Sequence, residues 1–388
     1  MHVDLSKRTF LRAAGLLVAD HVLQRKLAGT VTPSSIRLRH KVIVVIFGGV
    51  RFAETFSLDG LENIPHLSQD LLPQSLFYTH VRNEGVTAHF NAISSILTGN
   101  WQRVDDWGKL APASPTLFEY LRKQLGVPKS ETWVVASNKA LTSMIGASAD
   151  SGFGPEYGAN VIFPKQLIIA AVENAIWQGR TRTLADRTRI QNELEAMLEG
   201  SNYEGLGWTV FDAAQQLDPR VRVTTQEAIT EFVQGGGATS GDELTYFVSR
   251  EVMRKFAPSL LIVIFSDVEV AHFGSYSLHL AGIKTGDRLA YQLWQEVQAN
   301  SEYRGRTTMV ILPEFGRDPD GTNNGFFNHR LNEESTRTTW MMWLGAAVDQ
   351  PQVVERPVRH VDLCPTVAAL LSCRLGEAEG VGLRELHG

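Results

Sequence analysis

Three short apolar runs restrict what this chain can fold into. Lys41–Phe47 (Lys-Val-Ile-Val-Val-Ile-Phe), Leu260–Phe265 (Leu-Leu-Ile-Val-Ile-Phe) and Thr308–Leu312 lack the polar alternation of a half-solvated strand. Uninterrupted apolar sequence of this length marks a strand covered on both faces, as in a parallel sheet flanked by helices. Each run stops at a polar or glycine-rich turn. The first meets Gly48-Gly49-Val50-Arg51, the second Ser266-Asp267-Val268-Glu269-Val270-Ala271-His272-Phe273-Gly274, and the third Glu314-Phe315-Gly316-Arg317. Ligands gather beyond the carboxyl ends of such strands, so the acids and histidines stand where an α/β sheet places its chemistry.

Helical patterns alternate with these strands. Ala92–Leu97 suits a buried helix closed by Gly99, with His89 just before its amino end. Ser114-Pro115 predicts a helix start with serine as the cap, and Thr132–Ser137 a further strand. Asp242–Phe256 and Ser277–Asn300 read as helices, the second carrying His279 and Lys284 on a solvated face. Trp340–Leu344 reads as a strand, and an apolar helix runs from Pro365 to Cys373. The alternation predicts an α/β domain over residues 41–388, with a mainly parallel central sheet flanked by helices. From about 152 to 241 the pattern turns helical, at Pro164–Trp177, Ala185–Glu199 and Thr224–Val233, before Gly235-Gly236-Gly237. This range is expected to form an inserted, mostly helical lobe that shapes access to the site.

Charge and composition exclude other classes. With a net charge of -5 and no basic stripe, the chain has no electrostatic footprint for nucleic acid. No apolar run reaches about 18 residues, so no transmembrane helix is expected. Two cysteines, Cys364 and Cys373, would sit about 13 Å apart along one helix, beyond disulfide reach, and are expected to pack in the core. Residues 1–40 stand apart. Ser6-Lys7-Arg8-Thr9-Phe10-Leu11-Arg12 and the apolar run Ala13–Ala19 suit either a twin-arginine export signal with one arginine replaced, or a basic amphipathic helix that stays attached. The first implies a periplasmic or otherwise exported protein, the second a cytoplasmic one.

The strand ends supply the candidate site. Asp267, Glu269, His272 and His329 have metal-ligand chemistry, while Glu314 and His89 are candidate acid–base groups. One histidine alone is more often structural; convergence of two strand ends favours a site. Gly48-Gly49 reads as a plain turn, because the Gly-x-Gly-x-x-Gly spacing of a dinucleotide fold is absent.

The order of these motifs resembles the alkaline phosphatase superfamily, which includes sulfatases, nucleotide pyrophosphatases and metal-dependent phosphoglycerate mutases. Val-Ile-Val-Val-Ile-Phe-Gly-Gly-Val-Arg is similar to that family's first strand and turn, and Ser95-Ile96-Leu97-Thr98-Gly99 to the segment after its nucleophile. Asp267–Gly274 is similar to its Asp-x-x-x-His metal turn, and Val361-Asp362-Leu363-Cys364-Pro365-Thr366 to its closing helix. Glu314-Phe315-Gly316-Arg317 with Asn328-His329 resembles an often exported branch in which Glu-Phe-Gly-Arg replaces Asp-His-Gly.

By this resemblance the first metal-binding aspartate falls on Gly48, the nucleophile on His89, and the Asp-His pair on Glu314 and Phe315. The aspartate of the metal turn falls on Val268, between Asp267 and Glu269. The resemblance therefore implies a degenerate site holding one divalent ion, zinc or manganese, on His272, His329 and Asp267 or Glu269. Glu314 or His89 would serve as base, the substrate would be a small anionic phosphate or sulfate ester, and no covalent phosphoenzyme would form. The alternative is an inactive pseudoenzyme whose pocket binds a ligand or protein partner.

Overall fold

The computed structural model describes residues 38–104, 110–138, 144–164, 240–322 and 325–386. The N-terminal segment to residue 37 lies outside these, as do residues 165–239 of the expected helical lobe. Among the described residues nine strands form one sheet. In chain order they are β1 (Lys41–Phe47), β2 (Leu76–Arg82), β3 (Thr132–Ala136), β4 (Asn160–Ile162), β5 (Leu260–Phe265), β6 (Thr307–Pro313), β7 (Thr338–Gly345), β8 (Gln352–Val354) and β9 (Val358–Arg359). Their spatial order is β4-β3-β5-β1-β6-β7-β2-β8, with β9 also paired to β2. Among the described strands only β7 runs antiparallel to its neighbours β6 and β2; every other pairing among them is parallel.

The expected α/β architecture is present, and its cause is visible in β1. Ile43, Val45 and Phe47 enter one core while Val42, Val44 and Ile46 enter the other. Strand residues alternate between faces, so a strand with two covered faces is apolar throughout. Helices α3 (Gly241–Phe256) and α4 (Tyr276–Ala299) contribute Val248, Val252, Leu289 and Leu293 to the first core. Helices α1 (His89–Thr98), α2 (Leu117–Leu125) and α5 (Leu363–Leu370) fill the second with Ile93, Ile96, Leu121 and Val367.

Register decides where the chemistry can lie. Phe47 pairs with Phe265 on one side and Pro313 on the other, so β5, β1 and β6 end flush. The three turns singled out in the sequence leave the same edge side by side.

Several local expectations need correction. Helix α2 is capped by Thr116 rather than Ser114: the Thr116 amide and hydroxyl both bond Glu119, three residues on, in a capping box. Helix α5 stops at Leu370, and Ser372 takes a φ of 57°, so Cys373 lies past the helix. Both cysteines are nonetheless free and buried; burial pushes the Cys364 thiol pKa up and that of Cys373 to about 11. Within the range expected for the helical lobe, Asn160–Ile162 instead joins the sheet beside β3. His279 is not solvated. It is fully buried, with Nδ1 2.8 Å from the Val268 carbonyl and Nε2 3.1 Å from Glu54. Among the described residues no helix is long and apolar enough to cross a membrane.

Candidate metal centre

Beyond β5 the chain enters a 3₁₀ turn, Asp267–Phe273. Side chains three apart eclipse in this geometry, so Glu269 and His272 face the same way, with Oε2 and Nε2 3.1 Å apart. His89 opens helix α1, and its Nε2 also stands 3.1 Å from Glu269 Oε2. His329 arrives on the loop after β6 and sets its Nε2 3.2 Å from that of His272. Ligand atoms from His89, Glu269, His272 and His329 all lie within 4.8 Å of one another.

These separations fit an ion. Ligands at about 2.0–2.1 Å on a tetrahedral zinc stand roughly 3.3 Å apart, close to the three distances found. Polar bookkeeping points the same way. His89 Nε2 is buried and makes no well-aligned hydrogen bond, its neighbour in the cluster being Glu269 Oε2 at 3.1 Å.

Each donor is held from behind, as metal-ligating groups commonly are. His329 Nδ1 donates to the Thr87 carbonyl at 2.5 Å, and the Thr87 hydroxyl donates to the His329 carbonyl at 2.6 Å. His89 Nδ1 donates to Glu314 Oε1 at 2.5 Å. Glu269 takes the Gly49 amide on Oε1 at 2.9 Å and the Arg317 guanidinium on Oε2 at 2.8 Å. Phe315 is fully buried and stacks on His329 with ring centroids 4.4 Å apart, its ring also 5.1 Å from that of His89. His272 alone of the four has appreciable exposure, 25% of its side chain. Access therefore lies on its side.

Electrostatics gives the donors suitable charge states. Burial together with the charges of His89 and Arg317 holds the His329 imidazole pKa well below its usual range, keeping it neutral. Burial alone would raise the Glu269 carboxyl, but Arg317 and His89 outweigh it and hold it well below, keeping it ionised. For His89, burial opposes the charge, yet Glu269 and Glu314 prevail and raise it well above the ordinary value. An ion at Nε2 would take the place of that proton. Glu314 is raised by burial, and its Oε2 has no partner.

Five of the six candidate residues meet here: four as converging donors, with Glu314 directly behind His89. Asp267 is placed elsewhere. Its carboxylate takes the Ser240 hydroxyl and, at 3.2 Å, the Asp242 amide, while Asp242 in turn accepts from the Ser266 and Asp267 amides. This reciprocal pair ties the turn to the start of α3. Sequence reasoning gave no role to Thr87, Arg317 or Phe315, and read Gly48-Gly49 as a plain turn. Arg317 carried one signal, an arginine just past an apolar strand and three residues beyond a buried acid, Glu314.

No protein-family model and no curated protein matches the sequence. Solved structures do match in shape. The alkaline phosphatase PafA aligns with a TM-score of 0.55 at 11% identity, over 92% of this chain and 100% of that one. The chain has an alkaline phosphatase-like fold. A 2-O GAG sulfatase aligns with a TM-score of 0.52 at 10% identity, covering 89% of this chain and 73% of that one. The lipoteichoic acid synthase LtaP from Listeria monocytogenes gives 0.51 at 10% identity, covering 96% and 80%. The alkaline phosphatase-like fold sets the flush strand ends; the chemistry is a matter of the side chains placed on them.

Proposed function

We propose that this chain is a metal-dependent hydrolase of a phosphate or sulfate ester, with one divalent ion, zinc or manganese, held by His89, Glu269, His272 and His329. The convergence of these four donors within 4.8 Å carries the reading. A bound ion would supply Lewis-acid polarisation of an ester oxygen. Glu314 holds the Nδ1 proton of His89 and, through its partnerless second oxygen, offers a place to hold or pass on a proton. Arg317 keeps Glu269 ionised and in place. With a doubly charged ion and Arg317 set against the Glu269 and Glu314 carboxylates, the centre carries net positive charge and suits an anionic substrate. His272 marks the side from which that substrate approaches.

A second reading has its own observation. Four protein donors complete a tetrahedral shell, as in structural metal sites, whereas catalytic ones keep a position open. The centre would then belong to a catalytically inactive protein that binds a ligand or partner. The test is metal analysis of the purified chain beside its His272→Ala/His329→Ala variant, followed by turnover of aryl phosphates and sulfates with zinc or manganese. About one ion per chain, lost in the variant, together with turnover that His272→Ala abolishes, supports the hydrolase. Metal without turnover supports the binder, and no metal in either protein overturns both. Export of the chain, suggested by residues 6–12, belongs to the same proposal and is tested by cell fractionation.

A further inference from the structure

The carboxylate of the centre reaches it across the sheet. Glu269 leaves the end of β5, yet its Oε1 is bound by the Gly49 amide, beyond the end of the neighbouring β1. A Cβ built on Gly48 would overlap that same oxygen and would stand 2.8 Å from Val268 Cγ2. Glycine at 48 is thus a matter of space and not of backbone conformation, because its φ lies outside the left-handed region. Arg317, fully buried, closes the arrangement from the other side: its Nε donates to the Gly49 carbonyl at 2.7 Å and its Nη2 to Glu269 Oε2 at 2.8 Å. Gly49 and Arg317 together grip both oxygens of one carboxylate over the bare α-carbon of residue 48.

We infer that Gly48 is a positioning residue of the metal centre, whose missing side chain admits the Glu269 carboxylate to the place that an acid on residue 48 would itself fill. The inference rests on the metal reading proposed above. Residues 48 and 269 are alternative carriers of a single carboxylate. The Cβ of an aspartate at 48 would lie 2.2 Å from the present Oε1 and 3.1 Å from the carboxyl carbon of Glu269, whose Oε2 stands 3.1 Å from both His89 and His272.

The experiment measures zinc affinity on the full chain by competition with a chromophoric chelator, with folding followed by circular dichroism. The proteins are wild type, Gly48→Ala, Glu269→Ala and the carboxylate swap Gly48→Asp/Glu269→Ala. The swap is made with and without Val268→Ala, which removes the second contact. Gly48→Ala and Glu269→Ala are each expected to weaken zinc binding by about 100-fold, and the swap to return within about tenfold of wild type. Rescue in either background supports the inference, since a glycine needed only for folding would not produce it. A swap that binds no tighter than Glu269→Ala in both backgrounds overturns it, and so does Gly48→Ala with wild-type affinity. If Gly48→Ala does not fold, the swap decides. Wild type that takes up no zinc overturns the metal reading and this inference together, a result distinct from the other failures.

Discussion

Two buried clusters of histidine, glutamate and arginine flank the same 3₁₀ turn, and they differ in what they leave over. In the first, Arg51 donates Nε and Nη2 to Glu54 Oε1 at 2.9 and 2.7 Å, and its third branch reaches Asp320 at 2.8 Å. Glu54 Oε2 takes the Arg51 amide and His279, whose other nitrogen faces the Val268 carbonyl. Every charged atom of the Glu54 carboxylate is spoken for. One residue along the turn, the Glu269 cluster has the same residue types, yet Glu314 Oε2 has no partner and His89 Nε2 makes no well-aligned hydrogen bond, only a 3.1 Å contact with Glu269 Oε2. Buried polar atoms are rarely left so, and unmet bonding capacity separates a site from a brace. Residue type and burial alone would not distinguish the two.

The comparison can be broken most forcefully at Arg317. Arg317→Met leaves the Glu269 carboxylate buried beside two imidazoles with its strongest cation gone, and about 3–5 kcal/mol of stability should be lost in urea unfolding. A loss below about 1 kcal/mol would mean that the two histidines alone neutralise Glu269.

In the bracing cluster, Glu54 provides a pH test. Burial alone would raise its pKa, but His279 and Arg51 outweigh burial and bring it to about 2. A depressed carboxyl stabilises the fold above its unfolded pKa, and this contribution fades as pH falls from about 4.5 through about 2. Glu54→Gln should therefore cost about 3 kcal/mol at pH 7, with the gap from wild type closing as the medium is acidified through that window. A gap that does not change with pH would refute the ion-pair account.

Smaller effects separate the clusters by metal. Zinc at about 100 times its dissociation constant should stabilise wild type by about 2.7 kcal/mol and leave His272→Ala/His329→Ala unchanged. An equal thermal shift in both proteins would place the ion elsewhere. The least effect is expected at Asp267, which bonds Ser240 and the Asp242 amide rather than the cluster. Asp267→Asn should keep wild-type metal content while costing about 1 kcal/mol through the weakened tie to α3. Loss of the metal in this variant would restore Asp267 as a ligand.

The sheet was legible because β1, β5 and β6 are apolar on both faces, a pattern that few other structures produce. The flush strand ends then followed from their turns. Side-chain direction was not legible. Asp267 and Glu269 are both carboxylates, two residues apart, and only the 3₁₀ geometry of the turn decides that Glu269 shares a face with His272. His279 read as solvated because its partner Glu54 is more than two hundred residues away. At residue 48 the resemblance marked a missing acid, but a sequence does not show which neighbour occupies the space, here the Glu269 carboxylate.

The two cysteines have a practical consequence. Both thiols are buried and held in their protonated form by burial, so the native chain offers little that reacts with a maleimide at neutral pH. Phe273, next to His272 and 41% exposed, is then a place where a single introduced cysteine would carry a fluorophore cleanly. Dye attached there would sit at the entrance to the cluster, and its emission would follow ion and ligand arrival in real time without any assumption about the substrate.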